Sequence, residues 1–209
     1  MNISNMIYQF KITLLDISPP IWRIIQVPSK YNFWDLHIAI QDSMGWLDYH
    51  LHVFRFQSPH KMEGIEIGIP DEEMIEDIED GAFLPGWDIK ICDYFTKPGN
   101  KTLYEYDFGD CWEHELILEN ILPKEIKTKY PRCIAGERAC PPEDCGSVPG
   151  YYRLLEILKN TKHKEYTETI NWLKGHAKNY YPYHSDEFDP NKVHFDNPNI
   201  RFRRAFQCK

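Results

Sequence analysis

Tyr8-Gln9-Phe10-Lys11-Ile12-Thr13-Leu14 alternates apolar and polar side chains, which is the period of a strand with one face on a core. Asp16-Ile17-Ser18-Pro19-Pro20 then supplies turn residues. Ile21 to Val27 follows as a β-branched and aromatic run with Arg23 and Gln26 as its only polar members, and it stops at Pro28-Ser29. Together the two runs predict a hairpin. Working outward, Asn32 and Asp35 stand at the spacing of a capping box, with Phe33, Leu36, Ile40 and Met44 on one stripe before Gly45, so a helix is expected here. His50 to Gln57 alternates again and reads as a third strand. Hairpin, helix, strand is the opening order of a β-grasp, ubiquitin-like arrangement.

Further along, Pro59, Gly64, Gly68 and Pro70 break the pattern, and seven of the ten residues from Asp71 to Asp80 are acidic. Residues 58–90 are therefore expected to form an exposed acidic insertion, with a short helix through Met74, Ile75 and Ile78. Thr102 to Asp107, a turn at Phe108-Gly109-Asp110, and Cys111 to Asn120 predict a second hairpin, in whose return strand Trp112, His114, Leu116 and Leu118 face inward. Tyr151, Leu154, Leu155 and Leu158 form one helical stripe, and Tyr166, Ile170 and Leu173 another. From about residue 176 the chain, interrupted by Pro182, Pro190 and Pro198, is expected to wrap the surface and end in a helix from about Asn199. The fold class expected is a single α+β domain spanning 1–209, a mixed sheet with a β-grasp core and C-terminal helices covering the sheet.

Composition bounds the function. A 42% hydrophobic content with six Trp, thirteen Tyr and eleven Phe supplies a real core for 209 residues. Thirty-two acids against twenty-four Lys plus Arg, a formal charge of −8, argue against electrostatic capture of nucleic acid or anionic membrane. A local exception is Arg201-Phe202-Arg203-Arg204-Ala205-Phe206, where cations interleave with aromatics; the alternative is a last helix with a solvated basic face. The start of the chain lacks a basic segment leading into an apolar run, and nowhere do eighteen apolar residues stand together. A cytoplasmic protein with reduced thiols is expected, with a protein partner favoured over nucleic acid and no membrane association.

The chemistry concentrates in Cys133-Ile134-Ala135-Gly136-Glu137-Arg138-Ala139-Cys140-Pro141-Pro142-Glu143-Asp144-Cys145-Gly146, with three thiols, three acids and a Pro-Pro pair in fourteen residues. The prolines fix two φ angles and remove two donors, so this loop presents its neighbours rigidly. Cys133, Cys140 and Cys145 with the inward His114 have the stoichiometry of a Cys3His zinc site, although their spacing matches no familiar finger; buried thiols supporting a rigid loop are the alternative. Cys140 or Cys145 beside His114 has the parts of a nucleophilic pair, but neighbouring acids would disfavour the thiolate. Asp107, Asp110, Glu113, Glu143 and Asp144 offer hard oxygen ligands for magnesium or manganese, or else close turns and cap a helix. His50 and His52 at i, i+2 suit one metal, or are satisfied by hydrogen bonds. Tyr180, Tyr181 and Tyr183 around Pro182, ending at His184, form either a binding surface or the packing of the wrap.

Three segments in chain order carry a family resemblance: Ile17-Ser18-Pro19-Pro20-Ile21-Trp22-Arg23, Tyr104 to His114, and Gly136 to Gly146 with Gly150-Tyr151. Together they resemble the plasmid pRiA4b ORF-three-like family over roughly residues 6 to 205. The resemblance implies a bacterial and archaeal family, some members of which are labelled transposon passenger or resolvase-like proteins, with no established activity. This chain carries no serine-recombinase or helix-turn-helix pattern. It also has Ser147 where a second glycine often follows the Cys-Gly of the loop. The expected function is a binding or adaptor module presenting Asp107, Phe108, Asp110, Trp112, Pro141, Pro142, Glu143 and Asp144. One alternative is a metal-dependent hydrolase with Cys133, Cys140, Cys145 and His114 as zinc ligands and Glu143 or Asp110 acting on water. The other is a nucleic-acid-associated accessory protein of mobile elements.

Overall fold

The computed structural model describes residues 5–57, 64–70 and 83–207. The expected acidic run from Asp71 to Asp80 with its short helix, and the tail cysteine Cys208, lie outside them. Among the described residues the chain is a mixed α+β structure with one eight-stranded, mostly antiparallel sheet and five α-helices.

Strand β1, Met6–Leu14, pairs antiparallel with β2, Ile21–Pro28, in the register that the opening alternation predicts. Phe10, Ile12, Ile21, Ile25 and Val27 are all fully buried. Helix α1, Phe33–Met44, begins with the capping box: the Asn32 side chain accepts from the Asp35 amide and the Asp35 carboxylate from the Asn32 amide. It ends at Gly45, whose φ of 88° closes the helix in the left-handed conformation. β3, His52–Phe56, is followed by β4, Ile65–Gly68, and β5, Phe83–Pro85, and these continue the sheet through segments that composition assigned to the insertion. Ile67 explains why, since its side chain is wholly buried against the core. Ile91–Tyr94 is the single-turn helix α2. β6, Lys101–Tyr106, and β7, Trp112–Pro123, form the second hairpin, with Trp112, His114, Leu116 and Leu118 buried as the pattern requires.

The order across the sheet is β5-β4-β3-β6-β7-β1-β2-β8. The β-grasp expectation is not confirmed by this topology: hairpin, helix and strand follow in the expected sequence, but both neighbours of β1 are antiparallel to it, and β7 and β6 separate it from β3. β8, Arg132–Glu137, holds the first third of the cysteine segment as an edge strand on β2. Helices α3, Ser147–Lys159, and α4, Tyr166–Gly175, follow the expected stripes through the buried Tyr151, Leu154 and Leu173. Ser147 adopts a φ of 65° directly after Gly146 at 89°, so the serine takes the left-handed conformation for which a glycine is the usual choice. The last helix, α5, Pro198–Phe206, lies against α1 rather than over the sheet, its Phe202 and Phe206 rings packing edge-on against Trp34. No helix among the described residues is long and apolar enough to cross a membrane.

Candidate functional site

The four expected zinc ligands do not converge. Among the described residues, the one group of three or more His, Cys, Asp or Glu with donor atoms within 4.8 Å of one another is His50, Asp107 and Asp144. Cys133 sits on β8 and its thiol donates to the Ala135 carbonyl at 3.4 Å, while His114 lies on β7 between the Trp46 and Tyr104 rings. Burial pushes the Cys133 thiol up to about 11 and the Cys140 thiol to about 12, and it raises Cys145 as well, with Asp110 adding to the shift. Burial thus disfavours the thiolate that a nucleophilic pair would need. His114 is held neutral by burial, its basicity lowered to about 4.

The expected catalytic candidates are structural neighbours with different tasks. Glu143 is buried, and its carboxylate accepts the Leu47 amide at 2.7 Å and the Tyr106 hydroxyl at 2.6 Å. Its backbone amide donates to the Tyr180 hydroxyl at 3.2 Å. Both oxygens thus help to anchor the loop. Asp110 accepts the Gly146 amide at 3.1 Å and ties the β6–β7 turn to the start of α3. The Asp107 carboxylate closes the Phe108-Gly109-Asp110 turn, accepting the Gly109 amide at 3.0 Å, while its other oxygen lies 3.5 Å from His50 Nε2. Trp112 is packed in the core rather than presented. His50 lies outside β3 and bonds Asp144 at 3.0 Å, whereas His52 stacks face to face on His37 with ring centroids 3.4 Å apart. The expected histidine pair is therefore split.

What the loop does build is a cleft of about 870 Å³. Its walls come from four parts of the chain: Arg23 on β2, the end of α1 from Asp42 through Gly45 to Trp46, the Ala139-Cys140-Pro141 stretch, and the wrap from Lys178 to His194. Pro141 fixes one wall through its carbonyl, which accepts the Trp46 indole N–H at 2.9 Å. Tyr183 fixes another, its hydroxyl donating to the Cys140 carbonyl at 3.0 Å. Tyr180 and Tyr183 of the tyrosine-rich segment line this cleft, and Tyr183 also ties the wrap to the loop.

Sequence reading missed the principal residue of this cleft. Arg23, the lone cation in the apolar run of β2, is 1% exposed and lines it. Its Nε donates to the Ser43 carbonyl at 2.9 Å, and its Nη1 donates to the Trp22 and Glu137 carbonyls at 2.8 and 2.9 Å. The Phe188 ring covers the guanidinium with its centroid 3.6 Å away. Gly136 makes room for that stack, since a Cβ there would stand 2.5 Å from the Phe188 ring. An arginine inside an apolar strand was the available signal, because burying a guanidinium without a reason is costly.

The basic tail is partly committed to the fold. Arg201 pairs with Asp42 at 3.0 Å, Asp196 at 2.9 Å and Asp48 at 3.6 Å, docking α5 on α1.

A family model described as plasmid pRiA4b ORF-3-like protein matches residues 6–194. An uncharacterized protein, y4hQ, of Sinorhizobium fredii (strain NBRC 101917 / NGR234) is 32% identical over 167 residues, covering 79% of this chain and 80% of that one. The crystal structure of a protein of unknown function, MM3350, from Methanosarcina mazei Go1 superimposes with a TM-score of 0.75 at 40% identity, covering 91% of this chain and 98% of that one.

Proposed function

We propose that this chain, which belongs to the plasmid pRiA4b ORF-3-like protein family, is a binding module whose ligand enters the cleft between the end of α1, the Cys140-Pro141 stretch and the C-terminal wrap. The observation that carries this reading is the cleft itself. Its volume of about 870 Å³ falls within the range of small-molecule sites, and its walls mix Trp46, Tyr180, Tyr183 and Phe188 with a few convergent polar groups. Rigidity supports the same reading: Pro141 and Glu143 hold the loop to Trp46, Leu47 and Tyr106 by hydrogen bonds of 2.6 to 2.9 Å, so little ordering entropy is lost on binding. A fragment screen followed by 1H–15N chemical shifts tests it. Hits should perturb the amides of Gly45, Trp46, Cys140 and Tyr183 together; a screen that leaves those amides unmoved while shifting others would sink the reading.

A second reading rests on His50, Asp107 and Asp144, whose donor atoms lie within 4.8 Å of one another and include hard oxygen ligands for a divalent cation. Such an ion would activate water at an exposed edge, as metal-assisted hydrolysis requires. Titration with Mn2+ should broaden the amide signals of residues 50, 107 and 144 selectively, and Asp107→Asn should abolish the effect. Broadening spread over the acidic surface, or unchanged by the substitution, would remove this reading.

A further inference from the structure

Two cations, Arg23 and Lys178, line the cleft without a carboxylate in ion-pair contact with either among the described residues. Arg23 is 1% exposed, and its hydrogen bonds all go to backbone carbonyls, which leaves Nη2 without a partner among the described residues. Lys178 lies nearby at the left-handed turn that ends α1. A Cβ on Gly45 would stand 2.7 Å from its Nζ, and burial holds its ammonium below the ordinary lysine value, while the charges of Glu143 and Asp42, beyond ion-pair distance, act the other way. Neither residue forms an ion pair with any described acidic side chain, although ion pairs are found elsewhere on the surface.

The acids lining the cleft are engaged otherwise. Asp42 pairs with Arg201 at 3.0 Å and Asp186 approaches Arg138 at 3.8 Å. The Asp189 carboxylate accepts from the Asn191 amide at 2.9 Å, and Glu187 is exposed to solvent. The carbonyl end of α1 offsets part of the positive charge, but a helix C-terminus supplies only about half an elementary charge against two cations. Arg23 and Lys178 therefore have no contacting carboxylate in a partly desolvated part of the cleft, where a charge-assisted contact from an anion is favoured.

We infer that the cleft ligand carries a phosphate or carboxylate group, received by Arg23 Nη2 and Lys178 Nζ beside the aromatic wall of Tyr180, Tyr183 and Phe188. This inference rests on the cleft being a binding site and specifies the chemistry of its occupant. Arginine suits the task because its planar fork meets two anion oxygens, and stacking on Phe188 fixes the orientation of that fork. The two anion classes share this recognition and are separated by experiment.

The test uses the full chain, with inorganic phosphate and succinate as probes at constant ionic strength set with chloride, read by 1H–15N shifts and by thermal unfolding. Saturable shifts at Gly45, Cys140 and Tyr180, with a raised melting temperature, are expected, and the probe that saturates at lower concentration identifies the class. Lys178→Met should weaken that binding about tenfold or more, the loss expected for a charge-assisted contact. Arg23→Lys should also weaken it. Should Arg23→Lys fail to fold, Lys178→Met, which removes no hydrogen bond to the backbone, still decides. Binding of neutral fragments in the cleft without either anion, or anion binding unchanged in Lys178→Met, would overturn the inference and leave the cleft reading standing. Absence of any ligand at the cleft, neutral or charged, would overturn both.

Discussion

Arg23, Glu143 and His114 are three buried polar residues, and burial asks a different answer of each. Glu143 meets two donors at 2.6 and 2.7 Å, while Arg23 meets backbone carbonyls alone. His114 gives its charge up. Its Nδ1 contacts the Tyr104 carbonyl at 3.3 Å, its Nε2 has no hydrogen-bond partner among the described residues, and burial lowers its basicity from 6.5 to about 4. Between those values the unfolded chain binds a proton that the folded chain refuses. The contribution to stability is therefore complete above pH 6.5 and is lost as pH falls toward 4. Asp42, raised by burial to about 6, acts in the opposite sense, so the histidine must be isolated by comparison. Urea unfolding of the native chain and of His114→Gln should give a difference that shrinks by on the order of 3 kcal/mol from pH 7 to pH 4. A difference independent of pH would show that His114 is not buried as described. At this scale the sequence was only partly legible. The inward face of β7 placed His114 correctly, but alternation cannot report that the nearest thiol would belong to another network, nor that a single arginine among apolar neighbours would reach a cavity.

Elements tell a more favourable story where their signals are local. The capping box at Asn32, the stripe of α1, both hairpins and the helical stripes through Tyr151 and Leu173 are set by residues a few positions apart, and periodicity found them. β4, β5 and β8 were not found. Each is six residues or fewer, too short to show a period, and β8 takes its pairing from β2, more than a hundred residues earlier. The cysteine segment is consequently two elements, an edge strand and a short loop, and the loop is joined to the connection between α1 and β3 through Glu143. Truncating Glu143 to alanine would leave the Leu47 amide and the Tyr106 hydroxyl without their acceptor at a buried position. The expected cost is about 3 kcal/mol by urea denaturation, with the amide signals of Leu47 and Cys140 shifting together. A loss under half a kilocalorie, within the range typical of surface substitutions, would show that the loop is held by its prolines alone.

The whole molecule brings together what no element contains. The cleft takes a guanidinium from β2, the end of α1, one turn of the Pro-Pro loop and the wrap beyond residue 176, pieces separated by more than a hundred residues. α5 closes the arrangement from outside, its Arg201 engaging Asp42 beside the cleft and its phenylalanines covering Trp34. Long-range assembly of this kind explains why composition could not locate the cleft. The residues of the expected Cys3His centre are likewise not gathered within ligand distance of one another among the described residues, since β7, β8 and the loop carry them separately. The central claim is that this cleft receives a ligand. An X-ray structure of the full chain soaked with the best fragment from the screen addresses it directly. The account predicts fragment density between Arg23, Trp46 and Tyr183; a fragment bound elsewhere, with only solvent in the cleft, would contradict it.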